Sequence, residues 1–327
     1  MSSAFMLVKA SLILASLLIW EGASAVTLES IDIVAPSTVS TEEVRAVTRL
    51  IRGKDYGDET IQFKAACDAV REFRPLSRVR CSLVTRSENR ATFGVEVLDK
   101  PYIPSGERPS CRAISVNDRD SPLWKEYVDF EEFRRSQYEE STDSRVGNEF
   151  VNSEMELDYQ FPPMHERMKM LSSRIRSNEG ELFSWLSSCD VSRKSAGLDL
   201  LSYLGDASTA ARFALAESVS GSPEVRNSAL RLLSTFASAL NARQRLDAAK
   251  IACEGLENGG FLDVNKSLGL IEALESLELQ KGVSLAASCV ERISQFARES
   301  TSPQLGGFAR SVVDLRKRKI NGPGSRD

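Results

Sequence analysis

Three short runs near the start of the chain have the hydrophobic pattern of strands. The first, at 28–33, ends at Pro36. Two further runs, at 79–83 and 93–97, place apolar residues at every second position, with a polar stretch at 87–90 between them. This pattern predicts one strand followed later by a β-hairpin.

Between these runs the apolar spacing changes to that of helices. Ser40 followed three residues later by Glu43 indicates a capping box, and Gly53 is expected to end the helix that this box opens. A second helix is predicted from Thr60 to Phe73. One stripe of residues four apart along it is expected to be buried: Ile61, Ala65, Ala69 and Phe73.

Residues 26–100 thus have the order β-α-α-β-β and resemble a polypeptide-transport-associated (POTRA) domain, the module found ahead of outer-membrane barrels and in bacterial cell-division proteins. The likeness rests on this order, on the length, on Gly53 and on the closing strand at 93–98. It implies binding of other polypeptides by addition of a strand at the sheet edge, where backbone groups are unpaired. No barrel-type run of strands follows, so a transport role is in doubt. The alternative is a small α+β domain that only packs on its neighbour.

Residues 101–165 are predicted to be a linker, because prolines and a glycine interrupt its start. Between Asn117 and Asp158 there are 13 acidic and five basic residues, and aromatic residues are interleaved with them. Such a segment is either a docking strip for a basic partner or a solvated connector whose aromatic residues anchor it to the adjacent domains. We expect the connector.

Residues 166–319 show helical spacing throughout, with an internal repeat. Val191, Val225, Val264 and Leu305 open similar helices at spacings of 34, 39 and 41. A period near 40 with two helices per unit is the range of HEAT and armadillo repeats. The first helices of the pairs are expected at 181–187, 207–220, 243–254 and 282–299.

The segment from Pro223 to Arg226, with Ala229 and Leu232, resembles the second helix of a HEAT repeat. The family often has an aspartate and an arginine that link successive repeats, and only Arg226 matches that arginine. The resemblance implies a right-handed stack of helix pairs with an extended concave surface suited to other proteins. The alternative is an irregular helical bundle.

The first 25 residues have the pattern of an export signal. Lys9 is the only charge before the apolar run 10–20, and Ala-Ser-Ala at 23–25 predicts cleavage after Ala25. The alternative is a membrane anchor, but the run is shorter than the about 20 apolar residues that span a bilayer. The mature chain is therefore expected to be periplasmic or secreted, without stable membrane insertion.

Composition narrows the possible chemistry. The 327 residues include 42 basic and 46 acidic ones, a net charge of -4, so nucleic acid is not expected as a partner. The single histidine, His165, excludes multi-histidine metal sites and leaves one possible base for serine or cysteine catalysis. The chain has no Gly-rich phosphate loop, nucleophile elbow or HExxH motif.

Two weak signals for chemistry remain. Asp118 and Asp120 form a lone acidic pair, which is a weak signal for metal binding. His165 is the one residue that could activate Cys189 or a serine as a nucleophile. A surface histidine between domains is the favoured interpretation of His165. We therefore expect no enzyme activity, no cofactor and no metal site.

Six cysteines in an exported chain permit up to three disulfides. Cys67 lies on the second predicted helix, and Cys81 shares the parity of the inward residues on the returning strand, so a Cys67–Cys81 bond is predicted. Cys253 and Cys289 are expected to be ordinary buried helix residues. At the C-terminus, the basic run 316–319 suggests a frayed tail whose positive charges stabilise the end of a helix through the helix dipole. Residues 320–327 are expected to be disordered.

The sequence thus predicts an α+β domain followed by an all-α helical-repeat domain of HEAT type. The expected function is a non-catalytic exported scaffold that binds polypeptide partners through the sheet edge, the concave face of the helical array, or both. The alternatives are an envelope hydrolase of unknown substrate and a purely structural envelope component.

Overall fold

A computed structural model of the protein describes residues 25–36, 38–57, 59–86, 89–99, 101–106, 110–113, 121–141, 143–277, 284–300 and 305–321. The chain divides into two compact units, residues 1–99 and residues 100–327. The first, the N-terminal unit, is α+β, and the second, the helical unit, is built mainly of helices. The predicted export signal, residues 1–25, lies outside the described residues except for Ala25. No helix in the described part of the chain is long and apolar enough to cross a membrane.

The N-terminal unit is a four-stranded sheet with two helices packed on it. Its elements are β1 (Val26–Val34), α1 (Thr41–Thr48), β2 (Asp55–Tyr56), α2 (Glu59–Phe73), β3 (Arg78–Arg86) and β4 (Arg90–Leu98). The strand order is β2-β1-β4-β3, with β1 parallel to β4 and β3 antiparallel to β4. The predicted order β-α-α-β-β is therefore present, with the two-residue strand β2 added between the helices.

Helix α1 begins where the sequence predicts and ends earlier. The Ser40 side chain accepts a hydrogen bond from the backbone amide of Glu43 at 3.2 Å, so Ser40 caps the helix. The helix ends at Thr48, because Arg49 takes a left-handed conformation with φ 54° and its amide bonds back to Ala46. Gly53, expected to end the helix, instead donates its amide to Leu28 on β1 at 2.7 Å.

Helix α2 buries a different face from the predicted one. Phe63 and Val70 pack in the core, and the rings of Phe63 and Phe93 lie 5.3 Å apart. Ile61, by contrast, is 65% exposed, and Phe73 is 41% exposed. Residues two positions apart lie on nearly opposite sides of a helix, so burying Phe63 turns Ile61 outward. The predicted buried stripe of Ile61, Ala65, Ala69 and Phe73 is therefore wrong.

The helical unit has a short hairpin among its helices. Its elements are α3 (Pro122–Glu140), β5 (Glu149–Val151), β6 (Leu157–Tyr159), α4 (Pro162–Ser177), α5 (Glu179–Leu186), α6 (Val191–Leu201), α7 (Ala207–Glu217), α8 (Pro223–Thr235), a 3-10 turn (Ala237–Ala239), α9 (Ala242–Asn258), α10 (Phe261–Leu277), α11 (Ala287–Glu299) and α12 (Leu305–Asn321). Consecutive helices from α5 to α12 form four packed pairs. The second members, α6, α8, α10 and α12, also contact one another in turn, and we call them the second-helix row.

Side chains cap the N-termini of several of these helices, which follow short connections. Asp190, Asp206 and Ser222 each accept a hydrogen bond from the backbone amide three residues later, at the starts of α6, α7 and α8. Asn241 and Gln244 form a complete capping box at the start of α9. The helices opened by Val191, Val225, Val264 and Leu305 are α6, α8, α10 and α12, so the predicted repeat corresponds to the second-helix row.

The segment for which the sequence predicts a linker, 101–165, is packed into the helical unit over much of its length. Phe130 on α3 is fully buried. The centre of its ring lies 5.6 Å from the centre of the Tyr203 ring, just after α6. The Arg193 guanidinium on α6 lies 3.8 Å from the ring of Trp124 and 4.9 Å from that of Trp185. Phe130 and Tyr159 thus belong to the core of this unit, whereas Tyr138 and Phe150 are exposed.

Several acidic residues of the same segment form ion pairs with arginines of the helical unit. Glu131 pairs with Arg134 within α3 at 2.5 Å, and Glu149 on β5 pairs with Arg231 on α8 at 3.2 Å. Glu156 pairs with Arg176. Glu149 and Arg231 are 82 positions apart and Glu156 and Arg176 are 20 apart, so a local charge count does not reveal these two pairs.

The basic run at the C-terminus is also packed. Helix α12 continues through it, and the Lys319 ammonium lies 2.7 Å from the Glu275 carboxylate on α10, which is fully buried. Arg316 binds the same carboxylate. The prediction of a frayed basic tail is therefore wrong for these residues, because a buried anion holds them. Residues 322–327, most of the predicted disordered tail, lie outside the described residues.

Candidate functional site

Strand β3 forms one edge of the sheet in the N-terminal unit. It is nine residues long and pairs with β4 along its whole length, from Arg78 opposite Leu98 to Arg86 opposite Arg90. In the described part of the chain, no strand pairs with its other side. A long edge strand with unpaired backbone groups on one side is a template for strand addition.

The two faces of β3 differ in character. Val79 is buried, and Cys81 and Leu83 pack partly against the core. On the other face, Arg80 and Ser82 are exposed, and Val84 is 54% exposed. The strand therefore has an anchored face and an accessible face, and Val84 is an apolar contact on the accessible one.

A disulfide between Cys67 and Cys81 joins α2 to β3. The sequence predicts this bond, and the structure contains it, with the two Cα atoms 6.0 Å apart. Because a disulfide restricts the separation of the elements it joins, β3 is held to the core helix while its outer side stays open.

The other four cysteines form two more disulfides. Cys111 bonds to Cys189 before α6, and Cys253 on α9 bonds to Cys289 on α11. The expectation that Cys253 and Cys289 are ordinary buried helix residues is wrong, since stacking of α9 on α11 brings them together. Cys189 is likewise not available as a thiol nucleophile for His165.

A buried ion pair joins two members of the second-helix row. The Arg226 guanidinium on α8 donates to both carboxylate oxygens of Asp263 on α10, at 2.8 and 2.9 Å. Both residues are buried, and the Tyr102 ring lies 4.9 Å from the guanidinium carbon. Arg226 is the residue that the sequence singles out, and its partner is the aspartate near the start of the next second helix.

Part of the second-helix row is covered by α3 and the β5–β6 hairpin. The Tyr127 hydroxyl on α3 donates to Asp199 on α6 at 3.3 Å, and the Tyr159 and Tyr203 hydroxyls are 2.9 Å apart. Burial raises the pKa of Asp199 above its ordinary range. Glu149 of the hairpin reaches Arg231 on α8. The chain's own segment thus contacts α6 and α8, two members of the second-helix row.

The residues considered for catalysis are not assembled into a site among the described residues. The His165 side chain shares a hydrogen bond of 2.6 Å with Asp158, which also accepts from the backbone amide of Tyr159. No serine or cysteine side chain in the described ranges hydrogen-bonds to His165. The geometry gives His165 a structural contact between the start of α4 and strand β6.

Metal-binding chemistry was considered for Asp118 and Asp120. Both lie outside the described residues, so the expectation that they form no metal site stays a prediction. Among the described residues, no group of three or more histidine, cysteine, aspartate or glutamate side chains is placed to hold a metal ion.

A scan of the chain against protein-family models gives no match, and a search of curated proteins gives none either.

Proposed function

We propose that this protein is a non-catalytic, exported scaffold that binds a polypeptide partner by strand addition to the outer side of β3. The observation that carries the proposal is the nine-residue edge strand, whose outer side no described strand covers. Arg78 and Arg80 on this strand add charge that discourages pairing with another copy, while leaving the backbone accessible to a suitable partner. The proposed likeness to a POTRA domain agrees with this mode of binding.

The export part of the proposal is supported by the cysteines. All six form disulfides, a pattern typical of proteins that fold in oxidising compartments. Together with the signal pattern that ends at Ala25, this favours the periplasm or the medium as the site of action.

The helical unit is proposed to be a short HEAT-like array that offers a second binding surface. Four packed helix pairs and the Arg226–Asp263 pair between successive second helices agree with that repeat class. Because α3 and the hairpin cover α6 and α8, a partner of the concave face would bind towards α10 and α12.

The test is affinity capture with the mature protein from envelope and secreted fractions, followed by amide hydrogen exchange of the complex. Retained polypeptide should slow exchange in residues 78–86, because strand addition gives the outer amides of β3 hydrogen-bond partners. Retention with protection confined to the helical unit would contradict the edge-binding mode. Failure to retain any protein, together with stabilisation by a small molecule, would contradict the scaffold function.

A His165→Ala variant addresses the hydrolase alternative. The scaffold proposal expects unchanged partner capture, since His165 is far in sequence from β3 and contacts Asp158 instead. Loss of a measured hydrolytic activity without unfolding would favour the alternative.

A further inference from the structure

A groove runs between α1 and α2 of the N-terminal unit, along a different side of α2 from the one packed on the sheet. Its volume is about 930 Å³. Its apolar floor is formed by residues of both helices and by Leu50, which follows the end of α1: Val47, Leu50, Ala65, Ala69 and Phe73. Ala65, Ala69 and Phe73 belong to the stripe that the sequence predicts to be buried. In the structure this apolar stripe lines the groove instead of the core.

The length of the groove fits a short helix. Its lining on α2 extends from Gln62 to Phe73, which is about 17 Å along the axis at about 1.5 Å per residue. A partner helix of about three turns covers that distance and presents apolar residues every three or four positions. The small side chains of Ala65 and Ala69 permit close approach of a second helix.

The rim of the groove on the α1 side is basic. Arg49 and Lys54 line the groove on this side, and Glu72 is the acidic residue that lines it on the α2 side. Within the described ranges, neither Arg49 nor Lys54 forms an ion pair, and the Lys54 ammonium lies 5.5 Å from the centre of the Tyr56 ring. On α2, by contrast, Lys64 and Arg71 are both paired with Asp68, at 2.6 and 2.8 Å.

We propose that this α1–α2 groove binds an amphipathic helix of a polypeptide partner, with its apolar face on the floor and acidic residues against Arg49 and Lys54. The proposal rests on the proposed function as a polypeptide-binding scaffold and adds a second contact with a defined chemistry. Concavity favours a helix over a membrane surface, because a flat bilayer does not reach an apolar floor between two helices. The unpaired basic rim selects acidic segments and lowers the affinity for basic ones.

The test uses the full chain and two designed helical peptides of about five turns, which share one leucine face and differ in their polar face. One peptide carries glutamate on that face and the other carries lysine. The proposal expects the glutamate peptide to bind, measured by fluorescence anisotropy, with an affinity that falls as salt rises. It expects the lysine peptide to bind at least about tenfold more weakly.

Two matched pairs of variants locate the binding site. Phe73→Ala should weaken binding of the glutamate peptide by about tenfold, as loss of an apolar anchor does. Leu76→Ala removes a more exposed apolar side chain, 95% exposed and outside the groove, and should leave binding unchanged. In the double variant Arg49→Gln and Lys54→Gln, the affinity for the glutamate peptide should lose most of its dependence on salt. The double variant Lys64→Gln and Arg71→Gln has the same change in net charge and should keep that dependence.

Equal binding of both peptides would overturn the proposal, as would binding that Phe73→Ala and the rim variant leave unaltered. Absence of binding to either peptide would overturn it as well. Association with vesicles of anionic lipid, sensitive to the rim variant but without peptide binding, would assign the groove to a membrane instead. If the groove variants fail to change peptide binding while exchange in β3 is still slowed by a captured partner, only the groove assignment is lost and the scaffold function stands.

Discussion

At the scale of single residues, the buried charges of the helical unit stabilise it only as pairs. Arg226 and Asp263 are both almost fully buried, and two hydrogen bonds join them. Removing one member leaves the other charge in an apolar environment with no counterion, which costs more than the pair contributes.

Asp263→Ala is therefore expected to lower the free energy of unfolding by about 3–5 kcal/mol, measured by denaturant titration of the full chain. The double variant Arg226→Met and Asp263→Leu is expected to cost less than this single change, because it leaves no unpaired charge. A single variant no more costly than the double one would contradict the pairing argument.

Asp206 illustrates a pH-dependent contribution at the same scale. Its side chain caps α7 by accepting a hydrogen bond from the Thr209 amide at 3.0 Å, and this bond lowers the pKa of Asp206 below its ordinary value. A lowered folded-state pKa means that the carboxylate stabilises the fold above the unfolded pKa of 3.8, and that this contribution is lost as pH falls through the folded value.

Asp206→Ala should thus lower the free energy of unfolding by about 1 kcal/mol at neutral pH. The difference from the wild type should shrink as pH falls below 3.8. Asp247→Ala, which removes an exposed aspartate in the body of α9, is the control for the loss of one negative charge. A constant deficit for Asp206→Ala at all pH values would show that the cap does not act through the carboxylate.

The sequence is informative about Arg226 and less so about its partner. Arg226 follows Val225 at the position where the resembled repeat family has a linking arginine. Asp263 is separated from it by a whole helix pair, and only stacking of α8 on α10 shows that the two meet. Pairings of this kind depend on the packing of elements, which local patterns do not contain.

At the scale of elements, the Cys67–Cys81 bond connects α2 to the proposed binding strand. The bond encloses a short loop, with a sequence separation of 14. Replacing both cysteines by alanine is expected to destabilise the N-terminal unit by about 2–3 kcal/mol. Amide exchange in residues 78–86 should speed up accordingly.

The matched control is the pair Cys111→Ala and Cys189→Ala in the helical unit. It should leave exchange in β3 unchanged. If β3 exchanges at the wild-type rate without the Cys67–Cys81 bond, the disulfide does not hold the edge strand in place.

Elements were predicted better than their faces. Periodicity and caps are local, so the strands near the N-terminus, helix α2 and the second-helix row could be located from residue spacing. Helix α2 carries two apolar stripes, one with Phe63 and one with Ile61, and only contact with Phe93 decides between them. The same choice leaves the α1–α2 groove open, so the groove could not be predicted from spacing.

At the scale of the whole molecule, the segment 101–165 is where sequence reasoning departs furthest from the structure. Its prolines and acidic residues are typical of a linker, yet Trp124 and Phe130 pack among the helices. Glu149 and Arg231 meet across 82 residues. Long-range ion pairs and aromatic contacts therefore convert an apparent connector into part of the helical unit.

This arrangement also changes the balance between the two candidate binding surfaces. The sequence favoured the sheet edge and the concave array equally, whereas α3 and the hairpin cover α6 and α8 in the structure. The edge of β3 keeps its outer side open among the described strands. The edge of β3 is accordingly the proposed site of partner binding.

The most direct test of that claim is site-specific photo-crosslinking of the full chain in envelope and secreted fractions. A photoreactive residue at Val84, on the accessible face of β3, is predicted to form a covalent adduct with a discrete polypeptide. The same residue at Leu246, which is equally exposed on α9 at 53%, should form none. Adducts from Leu246 alone, with none from Val84, would contradict the account.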